Sequence, residues 1–338
     1  MGEITTVAVD LAKRVFQVHG VDAAGNVVLR RQLRRSEVLP FFEKLSPVIV
    51  GMETCSGAHY WGRLLAGMGH EVRLVPPIYV KPFVQRQKND AADAAAIYEA
   101  ISRPSMRFVP VKTTDQQAAQ AALRTRELLV RQRTMAVNAL RGHLAEFGIT
   151  AGVGLHNLPT LLERLDATTE APDYARESLQ LLIDQIEDCS DRIGKLDVVI
   201  ARRCRADPDA RRLMTIPGIG PLTASALLAT VPDPARFKCG RHFAAWLGLV
   251  PRQHSTGGQA RLGRISKMGD RTLRRLLVSG AVAVLLAARR RPGFSDSWLG
   301  RLLARKPLLL AAVALANKHA RIVWALLAKG GVYREAAA

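Results

Sequence analysis

The sequence predicts an α/β domain followed by an all-α region, and three observations carry that prediction. Residues 1–112 interleave β-rich runs with two helical segments; residues 113–205 read as long helices almost free of Gly and Pro; residues 206–338 are helical and Arg-rich around one Gly-rich loop. At 338 residues the chain is too long for one ordinary core.

In the first part, ITTVAVDLAK alternates apolar residues and ends its strand at Asp10. FQVHGVDAAGNVVLRRQL holds a turn signal at Ala23–Asn26 between two β-rich runs, which predicts a hairpin. VIVGMET is a continuous β-branched run of the buried type, AHYWGRLLAGMGH has helical spacing, EVRLVPP is a short strand and NDAADAAAIYEAI a helix. Pro104 and Pro110 close this part. In the second, Leu179, Leu182, Ile186, Cys189, Ile193, Leu196 and Ile200 alternate spacings of three and four, while Leu123, Val130, Val137 and Leu144 recur every seven residues. The pattern predicts an antiparallel helical hairpin or coiled coil, serving as an internal spacer or as a dimerisation element.

The chain carries 49 Lys and Arg against 29 Asp and Glu, a net charge of +20, and this points to a polyanionic partner. By thirds the net charge is +5 over residues 1–112, −1 over 113–205 and +16 over 206–338, so the polyanion surface is expected on the last third. Aromatic residues are 5% of the chain, which disfavours a surface built mainly on base stacking. Cys55, Cys189, Cys204 and Cys239 show no C-x-x-C spacing and read as reduced thiols without zinc or disulfide. The amino terminus lacks a signal-peptide succession, and the apolar stretches Val278–Ala288 and Leu308–Leu315 fall short of a membrane span. A cytoplasmic protein with no membrane partner is expected.

Four carboxylates of the first part stand where strands or helices end. Asp10 closes the first strand, and Glu53 closes a buried run, where a charge is costly unless it is paired or ligates a metal. Asp90 and Asp93 are three apart at a helix start and project from one face. Neighbouring strands and a helix packed on their sheet can gather such acids around two Mg²⁺ ions about 4 Å apart, which stabilise the attacking and leaving oxygens of a phosphodiester displacement. Singly, each has a plainer reading: Asp90 as a helix N-cap, Asp93 as a first-turn acid, Asp10 as a turn residue or the first-strand acid of a sugar-kinase-like ATPase. In the order strand Asp, hairpin, strand Glu, Asp-x-x-Asp helix, they describe an RNase H-like nuclease core.

Two further signals lie in the basic third. LMTIPGIGPLTASALLATV joins two apolar helices through Gly218 and Gly220, a helix-hairpin-helix pattern whose backbone N–H groups suit a phosphate. An ordinary αα-hairpin has the same outline. Residues 251–270 form a Gly-rich loop with Ser255 amid Arg252 and His254; its hydroxyl is expected to be exposed among cations, although Ser-Thr-Gly-Gly is also simply a polar turn. Arg252, Arg261, Arg264, Lys267, Arg271, Arg274 and Arg275 read as phosphate contacts, too few acids lying nearby to pair with them.

The ordered set VAVDLAK, GMET, KNDAADA, IPGIGPLTASALLA and FAAWLGLVPRQHSTGGQARLGRISKMGDRTLRRLLV resembles the transposases of the insertion-sequence 110 family, the DEDD recombinases, over nearly the whole chain. The resemblance implies a RuvC-like (RNase H-fold) domain, a coiled-coil middle and a mostly helical transposase domain with a catalytic serine. It places Asp10, Glu53, Asp90 and Asp93 at the DEDD positions that bind Mg²⁺ and Ser255 at the nucleophile position. It further implies a phosphoserine intermediate resolved by a 3′ hydroxyl, donor and target DNA as substrates, a noncoding bridge RNA as guide, and a dimer or a tetramer on DNA. Two rivals stand beside it: a Mg²⁺-dependent structure-specific endonuclease of Holliday-junction-resolvase type, in which Ser255 is structural, and a non-enzymatic architectural protein.

Overall fold

A computed structural model describes residues 3–84 and 90–334, and the chain divides into two compact units, Met1–Asp115 and Gln116–Ala338. In the first unit, strands β1 (Ile4–Asp10), β2 (Val15–Asp22), β3 (Val27–Arg34), β4 (Ile49–Glu53) and β5 (Glu71–Val75) form one sheet in the order β3-β2-β1-β4-β5. β1, β4 and β5 run parallel, and β2 runs antiparallel to both β1 and β3. The expected hairpin turns at Asp22, whose Oδ1 accepts hydrogen bonds from the backbone N–H groups of Ala24 and Asn26. Helices α1 (Val38–Phe42), α2 (Ala58–Gly67), α3 (Pro77–Val80) and α4 (Asp90–Ile101) complete the unit.

The period of two along each strand divides the core in two. Val7 and Val9 of β1, with Val50 and Met52 of β4, pack against Phe42, Trp61 and Leu65 of α1 and α2. Ala8 of β1 and Val75 of β5 pack instead on Ala96, Ile97, Ala100 and Ile101 of α4. Gly51 lets α4 seat on β4: a Cβ there would lie 2.4 Å from Ile101 Cδ1.

In the second unit, α5 (Thr114–Ala145), α6 (Leu158–Ala167) and α7 (Asp173–Ala206) come first. Arg126 on α5 grips Asp197 on α7 with two hydrogen bonds of 2.6 and 3.0 Å, and Arg133 reaches Ser190 at 3.2 Å. Seven residues forward on α5 is therefore seven back on α7, so the two helices are antiparallel. The half-exposed ion pair contributes at most about 1 kcal/mol. Burial of Leu140 and Leu144 against Leu161, Leu179 and Ile186 dominates, at about 2 kcal/mol for each fully buried Leu.

The rest of the unit comprises α8 (Pro208–Met214), α9 (Pro221–Thr230), α10 (Gly240–Trp246), strands β6 (Pro251–Gln253) and β7 (Leu262–Ile265), then α11 (Arg271–Ala288), α12 (Trp298–Leu303) and α13 (Leu308–Lys329). Residues 251–270 are thus partly an antiparallel β-ribbon where the sequence reads as a loop throughout. Strands of three and four residues are too short to leave a periodic signal. Helix α13 also departs from expectation: its apolar run extends beyond Leu315, making it long and apolar enough to cross a membrane by length and composition. One stripe of it, including Ala312, Leu315, Ala316, Ala320 and Val323, is buried in the core of this unit. All four cysteines are free thiols.

Candidate functional site

Strand alternation sets two of the acids together. β1 and β4 are paired in parallel with Ala8 opposite Gly51 and Val9 opposite Met52, so the next residues, Asp10 and Glu53, fall opposite one another. Each stands two positions after a residue that faces α4, Asp10 after Ala8 and Glu53 after Gly51, hence both belong to that face of the sheet, at the carboxyl ends of adjacent strands about 5 Å apart. The negative field there is felt by Cys55, whose thiol is pushed above its usual range by partial desolvation and then by the Glu53 and Asp10 carboxylates. Asp93 lies one turn before Ile97 on α4, the helix covering this same face, and is half-buried. Asp90 is the first residue of α4, and its side chain lies outside the described part of the chain. Among the described residues no three of His, Cys, Asp and Glu gather closely enough to hold a metal ion.

Ser255 stands exposed just beyond β6, near the tip of the ribbon. Its Oγ accepts hydrogen bonds from Gln253 Nε2 at 3.0 Å and from the Arg261 backbone N–H at 3.4 Å. The ladder continues past β6, since the His254 N–H donates to the Arg261 carbonyl, and the His254 ring lies near Gly263 of the opposite arm. The hydroxyl is therefore presented to solvent while its oxygen accepts from two donors.

The basic residues divide by what they touch. Arg261, Arg264, Lys267 and Arg271 are exposed, and Arg252, also exposed, donates to the Ser266 carbonyl. Arg274 is not one of a uniform phosphate-binding row: its Nη1 donates to the carbonyls of Leu247 at 3.0 Å and Met268 at 2.8 Å, tying two turns to α11. Arg275 pairs with Glu127 of α5 at 3.1 Å, an acid remote in sequence that the expectation of too few acids nearby did not include. Gly218 has φ +81°, and a Cβ there would lie 2.6 Å from the Gly280 carbonyl oxygen, so this glycine lets the turn before α9 press against α11. Gly220 is exposed, with open space around it at the start of α9.

Residues 7–149 match a family described as "Transposase", of the DEDD and IS110 type, and residues 210–298 match "Transposase IS116/IS110/IS902 family". The chain is 51% identical to the Pseudomonas aeruginosa protein named "Probable family 20 transposase", over 98% of this chain and 99% of that one. It is 40% identical to the "Transposase for insertion sequence element IS1328" of Yersinia enterocolitica, over 98% and 99% of the two chains. The "Transposase for insertion sequence element IS1111A" of Coxiella burnetii is also 40% identical, over 99% of this chain and 92% of its own. The chain belongs to the IS116/IS110/IS902 transposase family.

This transposase is a DNA-cutting and DNA-rejoining enzyme of an insertion sequence. Three of its residues near the candidate groups escape a reading of the sequence. Cys55 lies two positions after Glu53, a proximity that the strand end alone signals. Gln253 and Ser255 stand two apart on extended backbone, a spacing that puts side chains on one side of a ribbon. Glu127 is 148 positions from Arg275, and no local pattern joins them.

Proposed function

We propose that this transposase exchanges DNA strands through a serine nucleophile assisted by divalent metal held on the acid-bearing sheet face. The observation that carries the reading is the placement of Asp10 and Glu53 side by side on one face, at the carboxyl ends of parallel neighbours. A sheet of order β3-β2-β1-β4-β5 with only β2 reversed supports an RNase H-like, RuvC-like domain. Two adjacent carboxylates are the hard oxygen donors that Mg²⁺ accepts, and Asp93 and Asp90 on the covering helix would complete the set. When bound, Mg²⁺ supplies neutralisation of the charge that builds on phosphate oxygens during displacement.

Ser255 Oγ forms a bond to phosphorus as the P–O3′ bond breaks, its proton leaving and the departing 3′ oxygen taking one up. A second 3′ hydroxyl then attacks the phosphoserine phosphorus, expels Ser255 and joins the exchanged strand. Arg252, Arg261, Arg264, Lys267 and Arg271, exposed around this ribbon, would hold the DNA backbone. The open helix start at Gly220 would add a backbone phosphate contact, completing a helix-hairpin-helix element. Residues 113–205 would serve as a coiled coil for self-assembly, and 206–338 as the transposase domain. A noncoding guide RNA recognised by shape and backbone agrees with cations that carry no base-reading pattern. Its place of work would be the cytoplasm, with the DNA.

The test is Ser255→Ala. The wild-type chain is expected to give a denaturation-resistant protein–DNA adduct on donor and target DNA with Mg²⁺ and copurifying RNA, and the variant none, with DNA affinity retained. Strand cleavage that persists in Ser255→Ala would favour the resolvase-type endonuclease instead.

A further inference from the structure

Beside the ribbon, the second unit carries an open groove. Its floor is apolar, built from Leu309 and Leu310 on the outward side of α13 and Val313, which also packs on the core, with Ile265 of β7 and Trp298 of α12. Three of them are large exposed apolar groups: Leu309 is 67% exposed, Leu310 50% and Trp298 43%. Five cations surround them, Arg241, Arg264, Lys267, Lys318 and Arg321, and among the described residues that line the groove none bears a carboxylate. Lys318 Nζ lies over one face of the Trp298 ring, 5.1 Å from its centre, a cation–π pair that couples a phosphate-neutralising charge to the aromatic group. Although aromatic residues are few, two of the four tryptophans, Trp298 and Trp324, line this groove.

An apolar floor inside a wholly cationic rim fits an occupant that is polyanionic at its edge and flat and apolar within. Duplex DNA hides its bases; a single strand exposes them. The groove also shares Pro251, Gly263, Arg264 and Ile265 with the ribbon that carries Ser255, so DNA opened at that ribbon has a continuous path into it. We propose that this groove is the seat of unpaired DNA nucleotides, their bases lying on Trp298, Leu309 and Leu310 and their phosphates meeting the ring of cations. The inference deepens the strand-exchange reading and rests on it for the choice of DNA as occupant.

The test measures affinity of the full chain for a labelled oligothymidylate of about 12 nucleotides, for the matching duplex and for an oligouridylate. Trp298→Ala and Leu310→Gln are each expected to weaken the DNA single strand about tenfold while duplex affinity changes less than about twofold. Both positions are exposed; Lys318→Gln provides a third variant that leaves the apolar groups in place and, by removing a phosphate contact, should both weaken the same strand and lower the salt dependence of its binding. Equal loss on single strand and duplex, no loss on either, or loss on the RNA alone would overturn the proposal. So would a change of sedimentation in Leu310→Gln without a change in oligonucleotide affinity, since the groove would then be covered by another protein chain. An adduct at Ser255 with no groove effect would sink this inference alone; a groove effect with no adduct in the wild-type chain would sink the serine mechanism alone.

Discussion

The acid-bearing face of the first unit and the cationic ribbon of the second are built on opposite principles. Asp10 and Glu53 are fixed by a ladder of paired strands and a core on each side of the sheet, so backbone register alone sets their separation. Ser255 stands near the end of strands of three and four residues, and a two-stranded ribbon of that length has little stability of its own. Charged oxygen donors that share an ion require fixed geometry, whereas a hydroxyl that must reach a phosphate gains from exposure. On the mechanism proposed above, each group would stand on the scaffold its chemistry needs.

The sharpest way to break this contrast is at the acids. Asp10→Asn and Glu53→Gln keep side-chain size, and each is expected to lower Mg²⁺-dependent strand transfer by about 10³-fold or more with folding intact; gel assays of recombination would show it. Activity that survives both changes would leave the first unit with a structural role only. Next in size, Gly218→Ala meets both a left-handed backbone and the Gly280 carbonyl, and should cost about 2–4 kcal/mol in denaturant unfolding. Gly220→Ala, in open space, should stay within about 0.5 kcal/mol. If Gly218→Ala instead weakened DNA binding and spared stability, the turn would belong with the nucleic-acid surface.

A pH scan sharpens the comparison further. Burial lowers the pKa of His319 to about 4, and its Nδ1 lacks a hydrogen-bond partner; burial likewise lowers His59, whose Nδ1 accepts from the Lys112 N–H. Between about pH 6.5 and 4 the unfolded chain takes up protons that the folded chain refuses, so stability falls as pH falls through that window. Thermal melts from pH 7 to 5 should show a loss of a few degrees, reduced in His319→Gln. The smallest effect separates neighbouring arginines. Arg271→Ala should reduce the salt dependence of DNA binding by about one unit of slope, while Arg274→Ala should lower melting temperature through its lost carbonyl contacts and leave the slope unchanged.

The strands and helices of the first unit were legible because alternation and helical spacing are local patterns, and the face shared by Asp10 and Glu53 follows from counting by twos. The basic third was legible in charge but not in use. Arg274 serves carbonyls in remote turns and Arg275 an acid 148 positions away, and neither contact leaves a mark on the neighbouring sequence. The ribbon at residues 251–265 was hidden because its strands are shorter than any period they could display. The groove was hidden for another reason: Leu309 and Leu310 look in sequence like one more stretch of buried helix, and only the packing of α13 shows which side faces out.

The parallel pairing of β1 with β4 has a consequence for how such elements can diverge. Inserting or deleting one codon within either strand would turn its terminal carboxylate into the apolar layer around Met52 and Trp61, and the two acids would part. The tip between Thr256 and Gly258, where glycines bend the chain in open space, has no such constraint. Length variation among viable copies should therefore collect at the tip and be purged from the two strands.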